Sequence, residues 1–202
     1  MKMLCPLLLL LLSVEARADW YVWTVTDTRR VVREAPGEEG CEVRVAAVRN
    51  EFVSFQVLAR SGSAVPRVSL EAADLAGPDG AVLHGTDARL FRAHQLHLEA
   101  GTFRNEEFAS GWYPDPLIPH RNPTTQEPLT GARFVAMPFD LPAGQTHGFW
   151  VDIYLPPDTP PGEYRGTYRL IAEGEKPVPV PVTLTVWDIT LPTVSAFKTS
   201  LG

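Results

Sequence analysis

The residues with the chemistry for a reaction sit close together in the middle of the chain. Glu106 and Glu107 are adjacent, and Asp115 follows between Pro114 and Pro116. Two carboxylates in different surroundings can divide the acid and base work of a hydrolysis, as they do in many glycosidases. A Glu107–Asp115 pair is therefore one reading. The other is structural: Glu106 and Glu107 as solvated charges at the start of a helical turn, and Asp115 bonding nearby amides in a turn of its own. Trp112 and Tyr113 stand just ahead of Asp115. Aromatic faces stack on the CH face of sugar rings while carboxylates bind the hydroxyls. Trp112, Tyr113, Asp115 and Glu107 thus form the ligand-binding set the sequence suggests. Rings on a proline-stiffened segment lose little freedom on binding. Alternatively, both rings bury and pin the segment to the rest of the fold.

Other chemistry finds little support. His94 and His97 are three apart in an expected strand, so they point to opposite faces and do not ligate one metal together. His84, His120 and His147 are scattered and read as surface or loop residues. Cys41 reads as a strand thiol, because a catalytic thiol needs a positioned histidine and an electropositive setting. There is no Gly-rich phosphate loop, no His-Glu-x-x-His and no Gly-x-Ser-x-Gly elbow. The expectation is no catalytic residue, no cofactor and no metal.

The elements that must position these residues follow a period of two. Val178, Val180, Val182, Leu184 and Val186 share one face of a strand, with Pro179, Pro181, Thr183 and Thr185 on the other. The two prolines lack amide donors, so that part should lie at a sheet edge or before regular pairing begins. Tyr164–Leu170 alternates in the same way, as does Thr146–Leu155, with Phe149, Val151, Ile153 and Leu155 against Trp150 and Tyr154. Trp20–Val32, Glu42–Val48, Phe52–Ala59, Val68–Leu70 and Ala88–Leu98 are further strands. A turn or bulge is expected at Arg49-Asn50-Glu51, where the parity of apolar positions blurs. Glu71–Ala76 and Asn105–Ala109 could form single helical turns. Gly111–Gly131 holds Pro114, Pro116, Pro119, Pro123 and Pro128 and reads as one long proline-rich loop. The sum is an all-β fold, an antiparallel sandwich of immunoglobulin-like or jelly-roll-like type. Tyr164, just after Pro160-Pro161-Gly162, resembles a tyrosine corner.

Composition removes several classes of function. The 202 residues carry a formal net charge of −6 with no basic run, which argues against a nucleic-acid partner. Hydrophobic residues make up 45% and include five tryptophans, which excludes a disordered chain. Residues 1–18 read as a signal peptide: Lys2, the run Leu7–Leu12, and the small-x-small site Ala16-Arg17-Ala18. The run is too short for a membrane span. The expected product is exported, to the periplasm or the cell exterior, with Cys41 as its one cysteine.

Five strings, in order, carry a resemblance: Trp23–Val31, Arg49–Val57, Gly111–Pro119, Pro160–Thr167 and Leu191–Thr199. Together they resemble the N-terminal β-sandwich region of glycoside hydrolase family 123 and related bacterial proteins. The resemblance implies an accessory domain ahead of a C-terminal (β/α)8 barrel. In that family the barrel hydrolyses terminal β-linked N-acetylgalactosamine with help from the substrate's own acetamido oxygen. An adjacent Asp-Glu pair orients that group and supplies the proton. This sequence has no Asp-Glu dipeptide, so no family catalytic residue maps onto it. A barrel needs about 250 further residues.

The domain reading is a sandwich over 19–192 and the start of a linker over 193–202, where Val194, Phe197 and Leu201 could continue into the barrel. The expected function is a non-catalytic accessory domain with that barrel as its partner. Two alternatives stand beside it: a carbohydrate-binding module that holds a glycan on Trp112 and Tyr113, and a structural or protein-binding immunoglobulin-like domain. An enzymatic reading requires Glu107 and Asp115 to meet in a cleft.

Overall fold

The computed structural model describes residues 20–101, 105 and 107–194. The leader segment 1–18, Glu106, Phe197 and Leu201 lie outside the described residues. Twelve strands follow in order: β1 (Trp20–Thr26), β2 (Val43–Arg49), β3 (Glu51–Ser61), β4 (Val65–Glu71), β5 (Leu75–Ala76), β6 (Val82–Leu83), β7 (Arg89–Leu98), β8 (Gly111–Pro119), β9 (Phe139–Leu141), β10 (Thr146–Leu155), β11 (Gly162–Ile171) and β12 (Val178–Thr190). They form two sheets. One has the order β1-β3-β10-β7-β8; the other runs β2-β12-β11-β4-β9, with β5 and β6 attached beside β11. The fold is the β-sandwich that the period of two implies. One pairing departs from the antiparallel expectation: β2 and β12 run parallel.

Alternation explains which side chains meet. Phe149, Val151, Ile153 and Leu155 of β10 face Val180, Val182, Leu184 and Val186 of β12 across one buried core, joined by Phe55, Val57, Tyr164, Tyr168 and Leu170. Each such aliphatic side chain contributes roughly 1.5–3 kcal/mol on burial. Pro179 and Pro181 pair only with β11, since pairing with β2 starts at Val182. The missing amides therefore fall where β12 is still an edge.

Asn50 joins β2 to β3 with φ of 62°, and these two strands lie in different sheets. This crossing is why the apolar parity blurs there. The Asn50 amide N–H donates to Leu155 O at 2.7 Å, its Nδ2 donates to Leu191 O at 2.9 Å, and its Oδ1 accepts from Tyr154 Oη at 2.8 Å. One asparagine thus ties the ends of β2, β10 and β12 together. The tyrosine corner is present: Tyr164 is fully buried and its Oη donates to Pro160 O at 2.9 Å.

Several sequence expectations need correction. β1 stops at Thr26. The chain from 27 to 40 folds over the outer face of the first sheet, where Trp23, Val31 and Leu58 make a second small core. Gln56 Nε2 holds this covering segment by donating to Thr26 O and Arg29 O at 2.9 and 2.7 Å. That cover explains why β3 is buried on both faces. Glu71–Ala76 makes no helical turn, because Glu71 ends β4 and Leu75–Ala76 form β5. Asn105 and residues 107–109 are likewise not helical. The long proline-rich loop is shorter than expected, because Gly111–Pro119 is strand β8. As the outer strand of its sheet, β8 needs no amide donors on its free side, so Pro114, Pro116 and Pro119 are tolerated.

Candidate functional site

Asp115 and Pro116 sit at a bulge of β8. Leu117 pairs with Ala93 and Pro114 with Gln95, so two β8 residues oppose the single residue His94. The bulge leaves Asp115 exposed at a depression of about 250 Å³ whose lining includes Arg29, Arg30, Gln56, Leu117 and Trp150. Glu107 is exposed in the turn ahead of β8 and does not line this depression.

Trp112 and Tyr113 occupy consecutive strand positions, opposite His97 and Leu96, and so point to opposite faces. The Arg33 guanidinium lies over the Trp112 ring at 3.8 Å, and the His97 ring is 5.1 Å away. Tyr113 stacks on Phe108 at 5.9 Å, and its Oη donates to Ala109 O at 2.5 Å. Both rings are half-buried. The four residues suggested by the sequence therefore do not share one surface. Asp115 meets a different tryptophan, Trp150, whose Nε1 donates to Asp152 Oδ1 at 2.5 Å.

His94 and His97 separate as expected, His94 beside Phe134 and His97 beside Trp112. His147 differs from the surface reading. It alternates with Phe149 on the inner face of β10 and is 5% exposed. Burial, then the charges of Arg92, Arg33 and His94, lower its pKa to about 4. Cys41 is half-buried, its Sγ donates to Pro179 O at 3.3 Å, and burial pushes the thiol pKa up. That setting makes an inert thiol. Among the described residues, no group of three His, Cys, Asp or Glu side chains could hold a metal ion. No helix among them is long and apolar enough to cross a membrane.

A cleft larger than the Asp115 depression lies between β4 and β7 and has a volume of about 450 Å³. Leu70 and Leu90 give it apolar walls, and Arg121, Arg169, His120 and Glu71 give it charge and hydrogen-bonding groups. A second depression of about 310 Å³ shares Ala88, Arg89, Pro123 and Gln126 with it, so the two adjoin along one groove wall. Residues 120–126 form a strap along the groove. The His120 amide N–H donates to Leu90 O at 2.8 Å, which fastens the strap to β7. Asn122 Oδ1 accepts from the Thr124 and Thr125 amides at 2.9 and 3.1 Å, which shapes its turn. On the far wall Arg169 Nη2 donates to Glu71 Oε2 at 2.8 Å. Gly85 is pressed against the chain there, since a Cβ would stand 2.7 Å from the Ala73 carbonyl carbon.

No local sequence signal marks this cleft. Its polar residues come from β4, the turn Gly85–Asp87, β11 and the strap, and only His120 and Arg121 are neighbours in sequence.

A family model described as the glycoside hydrolase 123 N-terminal domain matches residues 23–172. Among solved structures, a family 123 glycoside hydrolase from Clostridium perfringens, studied for glycolipid glycan hydrolysis, superimposes with a TM-score of 0.70 at 14% identity. The match covers 86% of this chain and 28% of that one, so the chain spans little more than a quarter of the enzyme's length. The sporulation control protein Spo0M from Bacillus subtilis matches at a TM-score of 0.36 and 14% identity, over 83% of this chain and 49% of that one. No curated protein matches the chain. The likeness in structure concerns the fold, and the family model spans most of the sequence; on that ground the chain belongs to the glycoside hydrolase 123 N-terminal domain family.

Proposed function

We propose that this sandwich is the non-catalytic accessory domain of an exported family 123-type protein. In this reading it precedes and supports a (β/α)8 barrel, which hydrolyses terminal β-linked N-acetylgalactosamine. The supporting observation is the outgoing strand. Pairing of β12 with β11 ends at Val186, and Trp187, Ile189 and Leu191 then alternate on an overhang, 54%, 55% and 42% exposed. Asp188 is tied to Arg49 at 2.6 Å, and Thr190 pairs with Arg49 of β2 beyond a bulge, which anchors the overhang to β2. An exposed apolar stripe of this kind marks a contact surface, and its place at the exit of the domain suits a following barrel. Val194, 79% exposed, extends the stripe. The separation of Glu107 from the Asp115 depression favours a role without catalysis.

Two measurements test the reading. The purified chain is expected to leave an aryl N-acetyl-β-galactosaminide intact. Turnover that Glu107→Gln and Asp115→Asn each abolish would replace the accessory role with an acid/base pair. Docking has its own readout. The double variant Trp187→Ser, Ile189→Ser is expected to keep the stability of the chain within about 0.5 kcal/mol and to lose association with a family barrel supplied separately. Undiminished association would remove the stripe from the interface.

A further inference from the structure

We propose that the groove between β4, β7 and the 120–126 strap binds a sugar that carries an oxyanion, either a carboxylate or a sulfate. The charge balance of the larger half points that way. Its lining includes two arginines, Arg121 and Arg169, against one carboxylate, Glu71, in a chain whose net charge is −6. A local excess of positive charge inside a concave surface concentrates anions there. Guanidinium groups match the geometry of carboxylates and sulfates by donating two parallel hydrogen bonds.

The remaining lining suits a sugar ring. Leu70, Leu90 and Pro123 present apolar surface for ring CH groups, and Thr86, Gln126 and His120 present hydroxyl-binding groups. Burial, followed by the Arg121 charge, lowers the His120 pKa, so its imidazole is neutral at pH 7 and can donate to one hydroxyl or accept from it. A volume of about 450 Å³ falls within the range of small-molecule sites. The site is also preformed. The strap is held by its own Asn122 turn and by the bond to Leu90, and the opposite wall is held by the Glu71–Arg169 pair. Little ordering is then lost on binding.

The test is a titration of the intact chain, followed by NMR shifts of the strap amides and by calorimetry, with glucuronate, N-acetylgalactosamine 4-sulfate, N-acetylgalactosamine and inorganic sulfate. Binding of one of the two anionic sugars is expected, weakening as salt rises, and whichever binds tells carboxylate from sulfate. Arg121→Gln is expected to weaken it about tenfold. Glu71→Gln keeps an acceptor for Arg169 while removing the carboxylate charge of the larger half, and is expected to tighten binding severalfold, a gain that misfolding cannot imitate. Unfolding midpoints confirm that both variants fold. Absence of binding by both anionic sugars, equal binding of neutral N-acetylgalactosamine, or inorganic sulfate binding as tightly as the sulfated sugar would each overturn the proposal. None of these outcomes touches the accessory role, whose readouts are hydrolysis and docking.

Discussion

Replacing Tyr164 by phenylalanine isolates one hydrogen bond. The ring is fully buried and its Oη donates to Pro160 O at 2.9 Å. Phenylalanine keeps the ring, so no cavity opens and apolar burial is unchanged. What is lost is the bond that fixes the Pro160-Pro161-Gly162 turn at the entry to β11. Pro160 itself is exposed, so water can reach its carbonyl and offset part of the loss. The expected cost is therefore about 1–2 kcal/mol rather than the larger penalty of a stranded buried acceptor. For a domain of this size that corresponds to a fall in Tm of about 2–8 °C. Urea unfolding at pH 7 should show a lower midpoint with an unchanged slope. A companion variant checks the packing around the same ring. A Cβ at Gly77 would stand 2.2 Å from Tyr164 Cε1, so Gly77→Ala must displace the ring and should cost about 1–3 kcal/mol. If Tyr164→Phe matches the parent within about 0.3 kcal/mol while Gly77→Ala destabilises, the corner is a packing feature and the hydrogen-bond reasoning is wrong.

Asn50→Ala should destabilise by about 2 kcal/mol, since it loses the side-chain bonds to Tyr154 and Leu191 and strains a residue at φ 62°. Asn50→Gly keeps that backbone conformation and should cost about half as much; equal losses in urea melts would show that backbone strain contributes nothing. The pKa of His147 falls from about 6.5 in the unfolded chain to about 4 in the fold, so its neutral form is the one the fold stabilises. The linked stability is complete above pH 6.5 and is lost as pH falls toward 4, up to about 3 kcal/mol. His147→Gln should flatten the difference between unfolding free energies at pH 7.5 and pH 4.5, and an unchanged pH slope would contradict burial as the cause.

Alternation in the sequence was enough to place most strands and their buried faces, because a sheet with one covered face writes its period directly into the chain. Pro160-Pro161-Gly162 ahead of a tyrosine was enough to place the corner, and the blurred parity at Asn50 was enough to place a turn. The outcome of that turn, a change of sheet, depends on packing between strands far apart in sequence. β8 escaped notice because proline content signals a loop unless the strand is known to be outermost, and order within a sheet is a tertiary fact. Trp112 and Tyr113 look like a pair in sequence, but neighbours in a strand face opposite ways, so the fold gives each a separate environment. The reverse holds for the groove. Glu71 and Arg169 are nearly a hundred residues apart in the chain, |i−j| of 98, and stand 2.8 Å apart because β4 and β11 pair. Local sequence determined the strands; only the order of strands in the two sheets decided which distant side chains share a surface.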